Sequence, residues 1–225
     1  MRAITSVIFA LSSLSLVACG DDGASTPIDG PRPIDGPPVA CSVSTAMFGD
    51  KGALTGNATF RANPNVAGTG DMTFVAPLEG TTPPDILIFQ LFSGYAPFGT
   101  TAAPTPVVPG TYQITGPQLE FADCGVCVRI GTNATTTAVE DDYMATGGTV
   151  TVDTADSRVG GTLTFSLSNV TFEHVTINDM SVSNPVGDGC ESALQGATGS
   201  ATLAAPATKP GVQAMGPGTK HAFLQ

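Results

Sequence analysis

The chain has 225 residues, and its 8 Lys and Arg against 19 Asp and Glu give a formal charge of −11. Nucleic-acid binding ordinarily needs a basic patch that neutralises phosphates, so this balance argues against nucleic-acid partners and against anionic lipid headgroups. Only 12% of the residues are charged, Trp is absent, and Gly and β-branched residues are abundant. This composition favours an all-β domain.

The first 18 residues have the three parts of a secretory signal: Arg2 as a basic start, an apolar stretch broken by serines, and small residues at the end. The stretch is too short to predict a membrane-spanning helix, which needs about 20 apolar residues. The segment Leu16-Val17-Ala18-Cys19 resembles the bacterial lipobox. The alternative is an ordinary signal peptide that happens to end in a cysteine.

The lipobox resemblance implies cleavage before Cys19 and lipidation of the Cys19 thiol, which anchors the chain to a membrane. Several acyl chains on one residue make a stable anchor, whereas a single chain does not. Gly20 and Asp21 do not match the Asp signal that retains lipoproteins at the inner membrane of enteric bacteria. The expected location is therefore the cell envelope, at the periplasmic face or the surface of the outer membrane.

Residues 19–40 are predicted to be a tether. The sequence Pro-Ile-Asp-Gly-Pro occurs at 27–31 and again at 33–37, and such Pro- and Gly-rich tracts form extended spacers that bury no core. The folded β domain is then expected at 41–204. A tail at 205–225, without any apolar periodicity, is predicted to be disordered.

The domain reads as short strands separated by Gly-rich turns, which predicts an antiparallel β-sandwich or a partly open barrel of roughly eight to ten strands. The segment 85–92 is apolar at nearly every position, so it should be a central strand covered on both faces. Strands are expected at 53–61, 71–75, 85–92, 110–115, 124–131, 148–153, 161–177 and 198–203.

The long segment 161–177 changes its apolar phase twice. Leu163, Phe165 and Leu167 occupy odd positions, Val170 and Phe172 even ones, and odd positions resume at 175. A strand with a period of two changes face only where a residue is inserted. We therefore predict one bulge near 168–169 and a second near 173–174.

Lipidation of Cys19 leaves four cysteines, Cys41, Cys124, Cys127 and Cys190. Exported cysteines usually pair, and four allow three connectivities. We favour Cys41–Cys190 and Cys124–Cys127, the second of which needs a turn at Gly125-Val126. The alternatives at Cys124 and Cys127 are redox activity or a zinc site completed by Cys41 and Cys190.

Several of these segments together resemble a group of bacterial lipoproteins that is common in myxobacteria and related predatory bacteria and has no assigned activity. The resemblance covers about residues 85–190 and lies in a pattern of strands and cysteines. It supports the predicted location in the cell envelope and the β fold, and it implies no mechanism. The matching segments are 109–112, 124–128, 147–152 and 161–177.

Residues that could carry catalysis do not form a recognisable set. The two histidines are His174, on a predicted strand, and His221, in the tail. Neither a Gly-x-Ser-x-Gly elbow nor an HExxH motif occurs. The loop carboxylates lack calcium-loop spacing and are interpreted as solvated charge. We therefore expect no catalytic residues, no metal and no cofactor.

The leading hypothesis is a lipid-anchored, non-enzymatic module with a structural or interaction role in the envelope and with a protein or glycan partner. The second hypothesis is a carbohydrate- or small-ligand-binding module in which Tyr95, Phe98 and Tyr112 offer a stacking face. A hydrolase with an unrecognised site is the third.

Overall fold

The computed structural model describes residues 41, 48–135 and 138–207. The predicted signal segment, the lipidation site Cys19, the tether and most of the tail lie outside these residues. Strands dominate the described residues, with one 3-10 turn at Gly116–Leu119. The strands are β1 (Asp50–Leu54), β2 (Asn57–Ala62), β3 (Gly70–Pro77), β4 (Ile86–Phe92), β5 (Gly99–Thr100), β6 (Ala103–Pro104), β7 (Gly110–Gln113), β8 (Val126–Gly131), β9 (Asp142–Ala155), β10 (Thr162–Ile177), β11 (Ser183–Pro185) and β12 (Glu191–Ala204).

The all-β prediction is confirmed. Ten strands form one mixed sheet in the order β1-β12-β2-β3-β4-β8-β9-β10-β11, with β7 on β9, and β5 and β6 form a separate hairpin. Strand β12 also pairs along most of its length with β10 and meets β2 only at Leu203 and Ala204. The sheet therefore folds back on itself as a sandwich without closing into a continuous barrel. Its pairs β1–β12 and β12–β2 are parallel, and the others are antiparallel.

Aromatic rings hold the two parts of the sheet together. The ring of Phe165 on β10 lies 5.0 Å from that of Phe74 on β3 and 4.1 Å from that of Phe89 on β4, measured between centroids. Because these strands come from opposite parts of the folded sheet, the main core lies between them. Buried aromatic pairs of this kind add about 0.5–1.5 kcal/mol each to the free energy of burial.

Strand β4 is buried along its whole length, as its apolar sequence predicts. Leu87, Phe89 and Leu91 face the main core. Phe92 faces a second apolar cluster on the outside of the sheet, where the chain between β4 and β8 covers it. The second cluster consists of Phe92, Phe121, Cys124, Cys127, Met144 and Val175, with Tyr95 and Ile177 packed against it.

Strand β10 confirms one of the two predicted bulges. Its register with β9 shifts between Ser168 and Thr171, and Asn169 has a φ of +50°. The second prediction, a bulge near 173–174, is wrong, because residues 172–175 pair with β9 without a break. There Val175 contacts the second apolar cluster. Both faces of the strand are covered here: Phe172 packs in the main core and Val175 in the second apolar cluster. The change of apolar phase therefore needs no inserted residue.

Strand β12 begins at Glu191, well before the expected start at 198. Between Leu194 and Leu203 its buried positions are the small residues Ala197 and Gly199, so the apolar alternation that marks a strand is weak in this part of the sequence. A Cβ placed on Gly199 would lie 3.2 Å from the ring of Phe74 and closer still to the ring of Phe165. The small residue leaves room for the aromatic core of the facing strands.

Candidate functional site

His174 lies at the centre of a polar cluster at one end of β10. Its Nδ1 is 2.6 Å from a carboxylate oxygen of Asp188, and its Nε2 is 3.4 Å from one of Asp141. Its ring stacks on the ring of Tyr143 at 5.0 Å. Hydrogen bonds from the backbone N–H of Cys190 and from His174 lower the pKa of Asp188. The imidazole therefore bridges β10, the residue before β9, and the loop before β12.

The disulfide between Cys41 and Cys190 lies next to this cluster. The two Cα atoms are 5.5 Å apart, within the usual range for a disulfide. Cys190 is buried in the main core and its backbone carbonyl accepts a hydrogen bond from the N–H of His174. This cross-link therefore attaches residue 41 to the residue just before β12, next to the imidazole of His174.

The second predicted pair, Cys124 and Cys127, is also at disulfide distance, with Cα atoms 5.5 Å apart. The chain bends at Gly125, and β8 begins at Val126, so the local pair is closed by a turn, as the spacing requires. A Cβ on Gly125 would collide with the backbone of Tyr95 and Ala96. Both cysteines are fully buried in the second apolar cluster, which fits a structural cross-link better than an exchanging thiol.

Arg129 is buried in the same region, with a relative exposure of 1%. Its Nη1 donates a hydrogen bond to Asp142 at 2.7 Å, and its guanidinium carbon lies 4.4 Å from the ring centroid of Phe121. Burial lowers the pKa of Arg129 and raises that of Asp142, while the pairing opposes both shifts. The Asp142 carboxylate thus neutralises the charge of Arg129, which the loop around Cys124 and Cys127 shields from water.

The three aromatic residues expected at a stacking face are placed differently from one another. Phe98 is 1% exposed, and its ring packs edge-on against Tyr112 at 5.4 Å. The Tyr112 hydroxyl donates to the carbonyl of Val108 at 2.6 Å. Tyr95 instead lines a cleft of about 220 Å³ whose other walls are Asn63, Asn65, Val66, Ser93, Gly94, Thr101, Ala102 and Pro104.

No family model, curated protein or solved structure matches this chain. Function is therefore inferred from its own geometry. Among the described residues, no helix has the length and apolar character needed to cross a bilayer.

The polar cluster of His174, Asp141 and Asp188 was not anticipated from the sequence. From the sequence, His174 is predicted to be an exposed or half-buried histidine without a role, and Asp141 and Asp188 to be solvated loop charges. The three residues lie far apart in the chain, and only the pairing of β10 with β9 and β12 brings them together. No local motif signals such a contact.

Proposed function

We propose that this protein is a lipid-anchored lipoprotein of the bacterial cell envelope, held by Cys19, whose β domain has a structural or interaction role without catalysis. The observation that carries the proposal is the pairing of Cys41 with Cys190. Cys41 is the first residue after the predicted tether, and the cross-link attaches it to Cys190, the residue immediately before β12. Disulfides persist in oxidising compartments outside the cytoplasm, which agrees with export.

The geometry of His174 supports a non-catalytic role. A histidine that acts as a general base needs one ring nitrogen directed at a nucleophile or at water. In this protein both nitrogens face carboxylates, those of Asp188 and Asp141. The cluster therefore fits a clamp between strands.

The anchor is tested by metabolic labelling with a palmitate analogue in a bacterial host that processes lipoproteins. We expect label on the wild type and its recovery in the outer-membrane fraction after density-gradient separation. The matched variant Cys19→Ser should lose the label and the membrane association. Label that persists in Cys19→Ser, or a wild type found only in the soluble fraction, would contradict the proposal.

The interaction role is tested by cross-linking intact cells, followed by affinity capture of the lipoprotein. A specific envelope protein or glycan recovered with the wild type supports the proposal. The absence of any partner, together with turnover of a substrate by the purified protein, would replace it with an enzymatic role.

The cleft beside Tyr95 favours a second candidate function, the binding of a small neutral saccharide. Its lining residues include one aromatic residue, Tyr95, together with Asn63, Asn65, Ser93 and Thr101, whose side chains are polar and uncharged. Neutral hydrogen-bonding groups beside a ring suit a sugar hydroxyl face. The volume of about 220 Å³ lies below the roughly 300–1,000 Å³ of drug-sized sites, which limits the ligand to about one sugar ring.

This second candidate is tested on a glycan array. We expect Tyr95→Ala to weaken binding of any recognised glycan by about tenfold, the loss of one stacking contact. Tyr112→Phe is the matched control, because that ring faces Phe98 outside the cleft. An array on which the wild type recognises no glycan would exclude this function.

A further inference from the structure

Three side chains with metal-binding atoms meet just before β12. The ring nitrogen of His174, a carboxylate oxygen of Asp188 and the sulfur of Cys190 all lie within 4.8 Å of one another. Cys41 supplies a second sulfur, since it is bonded to Cys190. One imidazole, one carboxylate and two sulfurs form the type of ligand set that proteins use for zinc.

The backbone holds three of these residues in place independently of the disulfide. The N–H of His174 donates to the carbonyl of Cys190 at 3.0 Å, which continues the pairing of β10 with β12. The N–H of Cys190 donates to a carboxylate oxygen of Asp188 at 2.9 Å. Opening of the disulfide would therefore leave His174, Asp188 and Cys190 together.

The present distances can be compared with those of a tetrahedral zinc site. Zinc lies about 2.3 Å from thiolate sulfur and about 2.0–2.2 Å from imidazole nitrogen or carboxylate oxygen. Ligand atoms on one zinc ion are therefore about 3.3–3.8 Å apart. The His174 Nδ1 and the Asp188 oxygen, now 2.6 Å apart, would separate to this spacing, and the Cys190 sulfur, within 4.8 Å of both, would approach them through side-chain rotations. The paired sulfurs cannot act as thiolates while they are bonded to each other.

We propose that reduction of the Cys41–Cys190 disulfide creates a zinc site formed by Cys41, Cys190, His174 and Asp188. In the chemical step, two molecules of a thiol reductant are oxidised to their disulfide, and the Cys41–Cys190 bond becomes two thiols. Binding of Zn²⁺ then releases both thiol protons to water and forms two zinc–thiolate bonds. Zinc replaces the disulfide at the same point and keeps residue 41 attached to β12.

Asp141 strengthens this assignment. It lies 3.4 Å from Nε2 of His174, on the opposite side of the ring from Asp188. A carboxylate beside the non-coordinating nitrogen of a metal-binding histidine orients the ring and fixes its tautomer. Asp141 is placed to do this when Nδ1 binds the metal. The ligand set of nitrogen and sulfur favours zinc over Ca²⁺ and Mg²⁺, which prefer oxygen alone.

The test uses the full chain with Cys19, Cys124 and Cys127 changed to serine, so that Cys41 and Cys190 are the remaining thiols. Co²⁺ serves as the probe, because thiolate coordination and tetrahedral geometry both give distinct absorption bands. We expect the phosphine-reduced protein to bind one Co²⁺ with both bands and to release it to Zn²⁺. The oxidised protein should show neither band.

Two variants separate a specific site from general thiol binding. His174→Ala or Asp188→Asn should weaken Co²⁺ binding by at least about tenfold. Glu173→Gln is the control, since its side chain points to the opposite face of β10 and its affinity should equal that of the parent. Equal affinity in all three variants, or metal binding by the oxidised protein, would overturn the proposal.

Loss of folding can be told apart from loss of the site. If the serine background does not fold, the comparison is made in the Cys19→Ser chain against the same chain with Cys41→Ser and Cys190→Ser. The pair of thiols should then account for the thiolate band. If reduction abolishes the β signal in circular dichroism, Zn²⁺ should restore it, and a failure to restore it would contradict the proposal.

Discussion

At the scale of single residues, Arg129 shows how a charge is accommodated inside this mostly apolar protein. Its guanidinium donates to Asp142 and Gln90 and packs on Phe121. Its Nε is buried without a hydrogen-bond partner among the described residues. Breaking a buried ion pair from one side is more harmful than replacing both partners, because the remaining charge stays buried and unpaired.

We therefore expect Arg129→Met to lower the free energy of unfolding by about 3 kcal/mol, measured by urea denaturation. The double variant Arg129→Met/Asp142→Asn should lose clearly less than the sum of the two single variants. A loss below about 1 kcal/mol for Arg129→Met would mean that Asp142 is well solvated and that the pair matters little.

Glu120 is a second residue whose charge is supported by specific hydrogen bonds. One of its carboxylate oxygens accepts from the N–H of Ser183 at 2.6 Å and from the Ser183 hydroxyl at 2.7 Å. Burial by itself raises the pKa of Glu120, but these hydrogen bonds outweigh it, so the pKa lies below its usual value. The ionised carboxylate thus ties the loop before Cys124 to β11.

A lowered pKa in the folded state contributes stability that is present above the ordinary Glu pKa of about 4.3 and disappears as the pH falls through the folded value. We expect Glu120→Gln to lower the free energy of unfolding by about 1–3 kcal/mol at pH 7. The difference from the wild type should shrink below about pH 4. A difference that stays constant from pH 7 to pH 3 would show that the charge has no part in it.

At the scale of elements, β10 depends on its bend at Asn169. The residue has a φ of +50°, which Asn tolerates better than most residues. Across the pair, Gly148 has a φ of +115°, and a Cβ there would lie 2.7 Å from the carbonyl oxygen of Asn169. Before the bend, the odd-numbered residues Leu163, Phe165 and Leu167 face the core. After it, the even-numbered Val170 and Phe172 do.

Asn169→Val should lower the free energy of unfolding by about 1–2 kcal/mol, because a β-branched side chain strains the left-handed backbone. Asn169→Gly should be within about 0.5 kcal/mol of the wild type or more stable. Ser168→Val is the matched control: it is adjacent and exposed, has a negative φ, and should change little. Equal effects of valine at both positions in thermal unfolding would argue against backbone strain.

At the scale of the whole molecule, the two disulfides close loops of very different length. Cys41 and Cys190 are 149 residues apart in sequence, whereas Cys124 and Cys127 are three apart. The loss of unfolded-state entropy grows with the logarithm of loop length. The Cys41–Cys190 disulfide, which closes the longer loop, should therefore contribute more to stability than Cys124–Cys127, although Cys124 and Cys127 are the more deeply buried cysteines.

We expect Cys41→Ala/Cys190→Ala to lower the free energy of unfolding by about 5 kcal/mol and Cys124→Ala/Cys127→Ala by about 2 kcal/mol from this term. Guanidinium denaturation of both variants under non-reducing conditions measures the two losses. A larger loss for the Cys124 and Cys127 variant would show that packing in the second apolar cluster outweighs chain entropy.

The all-β class, most strand positions, the burial of β4 and the bend near Asn169 could be predicted from the sequence, because each follows from local composition and a period of two. The cysteine pairing was also anticipated, since few partners were available. The full lengths of β9 and β12 could not be predicted, because their many small and hydroxyl-bearing residues weaken the alternation of apolar and polar positions.

The contacts between residues that are distant in the chain follow from the arrangement of the strands and could not be predicted from the sequence. The contact of His174 with Asp141 and Asp188, the burial of Arg129 and the unbroken pairing at 173–174 all depend on strand neighbours that are remote in the chain. Local periodicity indicates whether a residue faces inward or outward. It does not record which strand lies beside it, or that a second apolar cluster covers the outer face of the sheet.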